Sequence, residues 1–320
     1  MTLLYDERDI GEAERFNRVL RLLPRYHTDR RMNARVIQAI LRAWETLPRL
    51  SRRSDVDIEE RSIDRDGRTL RLRLVIPRQR PAGIYLTFHG GAWVMGTPRF
   101  DDPINSRIAA ECRALVISVD HHLAVDDRLD LAIEDARRAA EWAAAEAAAE
   151  FGAERIVAGG ESSGAHLAAL ALLHLRALCP DRLAGAVLFY GAYDMAGTPG
   201  LRRSSSRSLL IDGQAAYRNL LRLTSQLTEE QRRDPRLSPL FADLSGMPPA
   251  LFVAGEMDPV FEDSLRMAER WNEANGNAEF LPVPRGAHGF NRLPLSMARK
   301  TNAHARQRIR HWLECGLSAS

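Results

Sequence analysis

The sequence predicts an α/β protein: a mostly parallel sheet covered by helices on both faces and carrying a helical cap. Two observations predict it. Short apolar runs alternate with helical stretches from Ile84 onward, and helical periodicity precedes any strand signal at the N-terminus. Buried strands that alternate with helices have to be covered on both faces, which is how parallel sheets are built.

The first element is a pair of helices over residues 7 to 47. Phe16, Leu20 and Leu23, then Val36, Ile37, Ile40, Leu41, Trp44 and Leu47, recur at the spacing of one helix face. Next, Leu70, Leu72, Leu74 and Ile76 alternate with Arg71 and Arg73, as in half-exposed antiparallel strands that open a sheet. The core strands follow at Ile84 to Phe88, Ala114 to Val119, Ile156 to Ala158, Ala186 to Tyr190, Leu251 to Ala254 and Glu279 to Val283. In such sheets ligands bind beyond the carboxyl ends of the strands.

The rhythm breaks between Tyr193 and Asp234, where Gly197, Pro199, Gly200 and the Ser204 to Ser206 run precede helical patterns around Leu220 and Leu227. An insertion on the loop face covers a site in many folds. The expected organisation is an N-terminal helical cap segment over 1–52, a core over 53–192 and 236–320, and a cap insertion over 193–235.

Composition narrows the function. The 320 residues, 45% of them hydrophobic, suffice for one large domain with additions. Charged residues are 27% of the chain with a net charge of +3, closely mixed in sign, which argues against a nucleic-acid partner. The basic residues are nearly all arginine and thicken between Arg15 and Arg53. Arginine stems lying over apolar neighbours explain this, with an anionic substrate or membrane surface as the second reading. No apolar leader follows Met1, and the longest apolar stretch, Ala168 to Leu173, is too short to span a bilayer, so no stable membrane insertion and a cytoplasmic location are expected. Cys112, Cys179 and Cys315 are widely separated and read as reduced thiols.

The strongest chemical signal is Gly160-Glu161-Ser162-Ser163-Gly164, set between an apolar run and a helical stretch. A sharp strand-to-helix turn that exposes a reactive serine tolerates only small residues around it. A glycine-serine turn that merely caps a helix would look similar taken alone. Ser163 competes as the reactive residue, but its spacing from the flanking glycines is the poorer of the two.

The second signal, His89-Gly90-Gly91-Ala92-Trp93, directly follows a strand. Small residues there let backbone N–H groups converge on one point, as an oxyanion hole requires. Gly90, Gly91 and Ala92, with the N–H of Ser163, are the candidates.

A serine nucleophile needs a base whose pKa suits neutral pH. His288, in Arg285-Gly286-Ala287-His288-Gly289-Phe290, follows the last strand run at the correct sheet end. His166, His174, His304 and His311 lie on helical patterns and read as structural. An orienting acid is expected between serine and histidine in the chain. Asp258, before Pro259, fits, with Glu256, Glu262 and Asp263 as rivals.

In combination these motifs resemble the hormone-sensitive-lipase-like branch of the α/β-hydrolases, from about residue 80 to the C-terminus. The resemblance implies an eight-stranded sheet, a triad of Ser162, Asp258 and His288, a helical cap, and no metal or organic cofactor. The segment Ser238-Pro239-Leu240 to Pro248 is similar to the family's lead-in to the acid-bearing strand. Ala92 stands where a third glycine is usual, acceptable unless that residue needs positive φ. Glu161 and Ser163 replace a commoner aspartate and alanine. Asp120-His121-His122-Leu123-Ala124-Val125-Asp126 replaces the usual Asp-Tyr-Arg-Leu-Ala-Pro-Glu, and the two histidines read as structural rather than metal-binding.

The expected activity is hydrolysis of a small-molecule ester with a short acyl chain through an acyl-enzyme. A lactone, carbamate or amide hydrolase, a deacetylase, and a non-catalytic ligand-binding protein are the competing readings. Trp93, Tyr193, Tyr217 and Phe290 are candidate pocket walls. A homodimer is compatible with the sequence.

Overall fold

The computed structural model describes residues 4–45, 53–65, 67–205 and 208–315. Leu47, Ser206 and the expected cap boundary at residue 52 lie outside them.

The apolar runs become strands β1 (Val56–Arg65), β2 (Arg68–Pro77), β3 (Gly83–Phe88), β4 (Ala114–Asp120), β5 (Ile156–Glu161), β6 (Leu183–Phe189), β7 (Ala250–Gly255) and β8 (Ala278–Val283). They form one eight-stranded sheet in the order β1-β2-β4-β3-β5-β6-β7-β8. β1 with β2 and β2 with β4 are antiparallel, and the rest of the sheet is parallel. Every residue of β3 and of β7 is buried, which requires cover on both faces.

That cover comes from the intervening helices. In chain order the helices are α1 (Glu7–Leu20), α2 (Arg31–Glu45), α3 (Asp102–Cys112), α4 (Leu129–Trp142), α5 (Ala148–Phe151), α6 (Ser163–Leu178), α7 (Pro199–Arg202), α8 (Gly213–Leu223), α9 (Glu229–Arg232), α10 (Phe261–Asn275) and α11 (Ser296–Glu314). α3 packs with α11 and α4 with α6 as the layers against the sheet. β1 carried no clear signal in the sequence: Asp57, Glu59, Glu60 and Arg61 stand within it because it is an edge strand with water on one side.

The register places the site. Phe88 of β3 lies opposite Gly160 of β5, so the loop after β3 runs beside the turn after β5. Beyond β7 and β8 the chains stay paired, with the Glu256 N–H donating to the Val283 carbonyl and the Met257 N–H to the Gly286 carbonyl at 3.0 Å each. The loops bearing Asp258 and His288 are thereby bound to one another.

Helix α1 and the residues before it are tied to the opposite end of the chain. Tyr5 and Thr301 share a buried hydroxyl hydrogen bond at 2.7 Å across 296 residues. The Ser296 N–H donates to Glu12, and Asn17 Nδ2 donates to the Arg285 carbonyl at 2.8 Å, in the loop that carries His288.

His166, on α6, is fully buried and neutral. Its Nδ1 accepts from Trp93 Nε1 at 3.2 Å, and its Nε2 is 2.7 Å from the Leu237 carbonyl. Burial lowers its pKa to about 4, while in the unfolded chain a histidine titrates near 6.5. Between these values the unfolded state binds more protons, so stability rises with pH. Stability is expected to fall as pH is lowered from about 6.5 towards 4. Denaturant midpoints measured across that range check this, and His166→Gln should flatten the slope.

Candidate active site

Ser162 sits at the turn from β5 to α6 with φ 55° and ψ −121°, a strained conformation outside the regions that ordinary residues favour. The surroundings allow it because the residues two positions to either side, Gly160 and Gly164, are glycines. A Cβ on Gly164 would lie 2.0 Å from the Phe88 carbonyl oxygen, so only glycine lets α6 approach β3 this closely. The Ser162 N–H is held by the Phe189 carbonyl at 2.9 Å.

Ser162 Oγ lies 2.9 Å from His288 Nε2, and His288 Nδ1 lies 2.8 Å from Asp258 Oδ2. The Asp258 side chain is fully buried, and its other oxygen accepts the Val260 N–H at 2.9 Å, ahead of α10. Asp258 therefore makes a turn contact as well as facing the histidine. The three rivals are elsewhere. Glu256 faces the Arg285 N–H, Glu262 pairs with Arg266, and buried Asp263 accepts from Tyr193, Asp194 and Thr198. Ser163 Oγ is buried with no hydrogen-bond partner among the described residues.

The loop after β3 is shaped by positive φ at Gly91 (133°), Ala92 (53°) and Trp93 (63°). Ala92 thus occupies the left-handed backbone that would make a glycine preferable, and the condition under which alanine is acceptable there does not hold. Strain of this kind costs on the order of 1–3 kcal/mol, which the surrounding loop supports. The Asn219 side chain donates to the Ala92 carbonyl at 3.1 Å, and Gln38 brackets the loop's far end, accepting the Gly96 N–H at 2.8 Å and donating to the Gly96 carbonyl at 3.1 Å.

His89 Nδ1 lies 2.9 Å from the Gly90 carbonyl. Because that carbonyl and the Gly91 N–H belong to one planar peptide, holding the oxygen aims the N–H the opposite way. The His89 ring is stacked on His121 with centroids 4.2 Å apart. Burial lowers the pKa of His121 to about 3, so it is uncharged at neutral pH, and burial lowers that of His89 as well. His122 turns outward to Asp126 at 3.1 Å. No group of three or more candidate ligands that could hold a metal ion occurs among the described residues. His174, His304 and His311 sit beside Glu141, Glu279 and Cys315, away from Ser162.

A buried polar cluster beside the serine, along the same cavity, was not read from the sequence. Arg292 Nε donates to Glu161 at 2.6 Å and its Nη2 to Asp101. Tyr190 Oη lies 2.8 Å from Glu161 and also meets Asn291. Burial raises Asp101 to about 6 against the pull of Arg292. The Tyr190 ring in turn lies 4.8 Å from the His288 ring. The signal for this cluster was weak: Glu161 and Arg292 are 131 residues apart and joined by no motif. Removing the hydroxyl leaves the ring but frees its tilt, so Tyr190→Phe is expected to lower kcat about tenfold with KM little changed, as small displacements of a catalytic group do. Steady-state kinetics on a dissolved ester checks it.

Above Ser162 lies an apolar cavity of about 370 Å³. Its walls include Trp93, as expected, with Tyr26, Ile37 and Leu41 from the N-terminal segment and Leu201, Ile211 and Leu220 from the insertion. The other three expected wall residues do not line it. Tyr193 packs on Phe252, Phe290 on Tyr190, and Tyr217 beneath Arg202. Each is drawn away by an aromatic or cationic neighbour distant in sequence.

A hydrolase-type sheet with a serine, an imidazole and a carboxylate in line at its carboxyl edge defines a serine hydrolase. The sequence model for the alpha/beta hydrolase fold matches residues 85–292. The carboxylesterase NlhH of Mycobacterium tuberculosis is 30% identical over 80% of this chain and 81% of that protein. The ethyl acetate hydrolase of Pseudomonas putida is 30% identical over 72% and 74%. A bacterial heroin esterase structure superposes with a TM-score of 0.82 over 96% of this chain and 98% of that one, at 24% identity, a likeness of fold. The chain belongs to the α/β-hydrolase fold family.

Proposed function

We propose that this protein is a serine carboxylesterase for short-acyl esters in which Ser162, His288 and Asp258 form the catalytic triad. The observation that carries the proposal is the relay Ser162 Oγ–His288–Asp258, with spacings of 2.9 and 2.8 Å, at the floor of an apolar cavity. His288 Nε2 takes the serine proton as Oγ attacks the ester carbonyl, and Asp258 holds the imidazole in the tautomer that leaves Nε2 free to accept. Charge developing on the carbonyl oxygen is met by the N–H groups of Gly91, Ala92 and Ser163, with Gly90 setting the loop's approach. Collapse releases the alcohol, protonated by His288, and water then attacks the acyl-enzyme with His288 as base. The chemistry calls on no metal or organic cofactor.

Residues 1–52 and 193–235 act together as the cap over the core at 53–192 and 236–320. Tyr26, Leu41, Leu201 and Leu220 on the cavity wall support this. A cavity of about 370 Å³ suits a small ester, and the similarity to an ethyl acetate hydrolase points the same way. No helix among the described residues is long and apolar enough to cross a membrane. We place the protein in the cytoplasm, with no nucleic-acid partner. A homodimer is compatible with the sequence and is tested by light scattering of the purified protein.

The test is hydrolysis of p-nitrophenyl acetate, butyrate, octanoate and palmitate by the purified protein. Acetate and butyrate are expected to be turned over fastest. A preference for palmitate would overturn the short-acyl assignment, and silence on all four would turn the search to lactone, carbamate and amide substrates.

A further inference from the structure

Helix α2 is amphipathic the wrong way round for a surface helix. Met32, Val36 and Ile40, each four residues apart and so in one stripe, are 65%, 53% and 62% exposed. Ile37 and Leu41, one step further round, line the cavity. The apolar arc therefore runs from the cavity wall to open water, broken only by Asn33 near the start of the helix. Arg31, Arg35 and Arg42 share a second stripe along its edge. The end of α1 and the loop after it add exposed Val19, Leu22 and Leu23.

Charge identifies what covers this face. Residues 15 to 44 contain eight arginines against a single acid, Asp29, which is already paired with Arg218. A second copy meeting the same face about a two-fold axis would bring these arginines together, a costly arrangement. An anionic lipid surface offers both an apolar layer for the stripe and negative headgroups for its edge. Phe100, which lines the cavity, is 44% exposed and packs edge-on against exposed Trp44, so the cavity opens beside this face. Aromatic side chains favour the boundary between headgroups and acyl chains.

We propose that the outer face of α2, with the exposed end of α1, is a docking surface for an anionic lipid–water interface, which brings the cavity opening to the lipid. Docking is by adsorption. It stands independently of the hydrolytic reading, since a Ser162→Ala protein docks as the wild type does.

The experiment is co-sedimentation of the full chain with vesicles of phosphatidylcholine alone and of equal parts phosphatidylcholine and phosphatidylglycerol. The wild type and Ser162→Ala are expected to sediment with the mixed vesicles at low salt and to be released as salt rises. The Val36→Asp/Ile40→Asp protein should stay in solution. Arg35→Gln/Arg42→Gln, which leaves the apolar stripe intact, should bind about thirty-fold more weakly, from roughly fivefold per arginine at such a surface. Both variants should hydrolyse dissolved p-nitrophenyl acetate at the wild-type rate, which shows that they are folded. Wild-type protein that ignores mixed vesicles, or binding that neither variant weakens, overturns the proposal. So does light scattering that finds a dimer which Val36→Asp/Ile40→Asp converts to monomer, because a second copy would then cover the face.

Discussion

Replacing Ser162 with alanine is expected to lower kcat for p-nitrophenyl acetate by about 10⁵–10⁶-fold, leaving only what the cavity and the backbone donors supply. The substitution removes one oxygen from a side chain whose backbone is fixed by other means: the Phe189 carbonyl, and the close approach at Gly164. Alanine should therefore hold the same strained turn, and thermal unfolding should change little. Loss of activity with an unchanged Tm separates removal of the nucleophile from collapse of the turn. Activity within tenfold of wild type would return Ser163 to consideration, against its burial.

The second large effect is expected from Asp258→Asn, about 10⁴-fold in kcat. Asp258 Oδ1 accepts the Val260 N–H, and an asparagine would keep its carbonyl oxygen there. That leaves the amide nitrogen at the position of Oδ2, 2.8 Å from His288 Nδ1. An N–H donor at that point stabilises the imidazole tautomer with its proton on Nε2, and such an imidazole cannot take the proton of Ser162. Asp263→Ala provides the contrast. Asp263 accepts two backbone N–H groups and the Thr198 hydroxyl in the interior. Its loss should lower the denaturant midpoint while leaving turnover by the folded fraction near wild type. Equilibrium unfolding and active-site titration, measured side by side on the two variants, distinguish the roles.

What the sequence made legible was whatever is local. The turn at Gly160 to Gly164 could be read because strand, turn and helix signals are contiguous there, and the steric demand at the serine acts on its immediate neighbours. Asp258 and His288 could be read because each lies just past an apolar strand, where the order of the chain already dictates which end of the sheet a loop occupies. Three features escaped, each for a physical reason. β1 is an edge strand whose charged residues face water, so it shows no apolar periodicity. The cluster of Asp101, Glu161, Tyr190, Asn291 and Arg292 is assembled from segments up to 191 residues apart, and only the folded sheet brings them into contact. Tyr193, Tyr217 and Phe290 were plausible cavity walls by residue type, but side-chain direction depends on packing that no spacing rule encodes. Ala92 stood out as an alanine where a glycine is usual, but only the folded loop shows that the position takes positive φ.

The bond between Tyr5 and Thr301, with the Asn17 contact to the loop of His288, sets a timetable for biosynthesis. Helix α1 is made early, but groups that fasten it are 268 and 296 residues downstream. At about 5–20 residues per second, the N-terminal segment waits roughly 15–60 s with its apolar side unprotected. During that interval it is open to proteases and to association with neighbouring nascent chains. The N-terminal segment, rather than the central sheet, should therefore be the first site of chaperone engagement and of proteolytic loss, and more so where translation is slow.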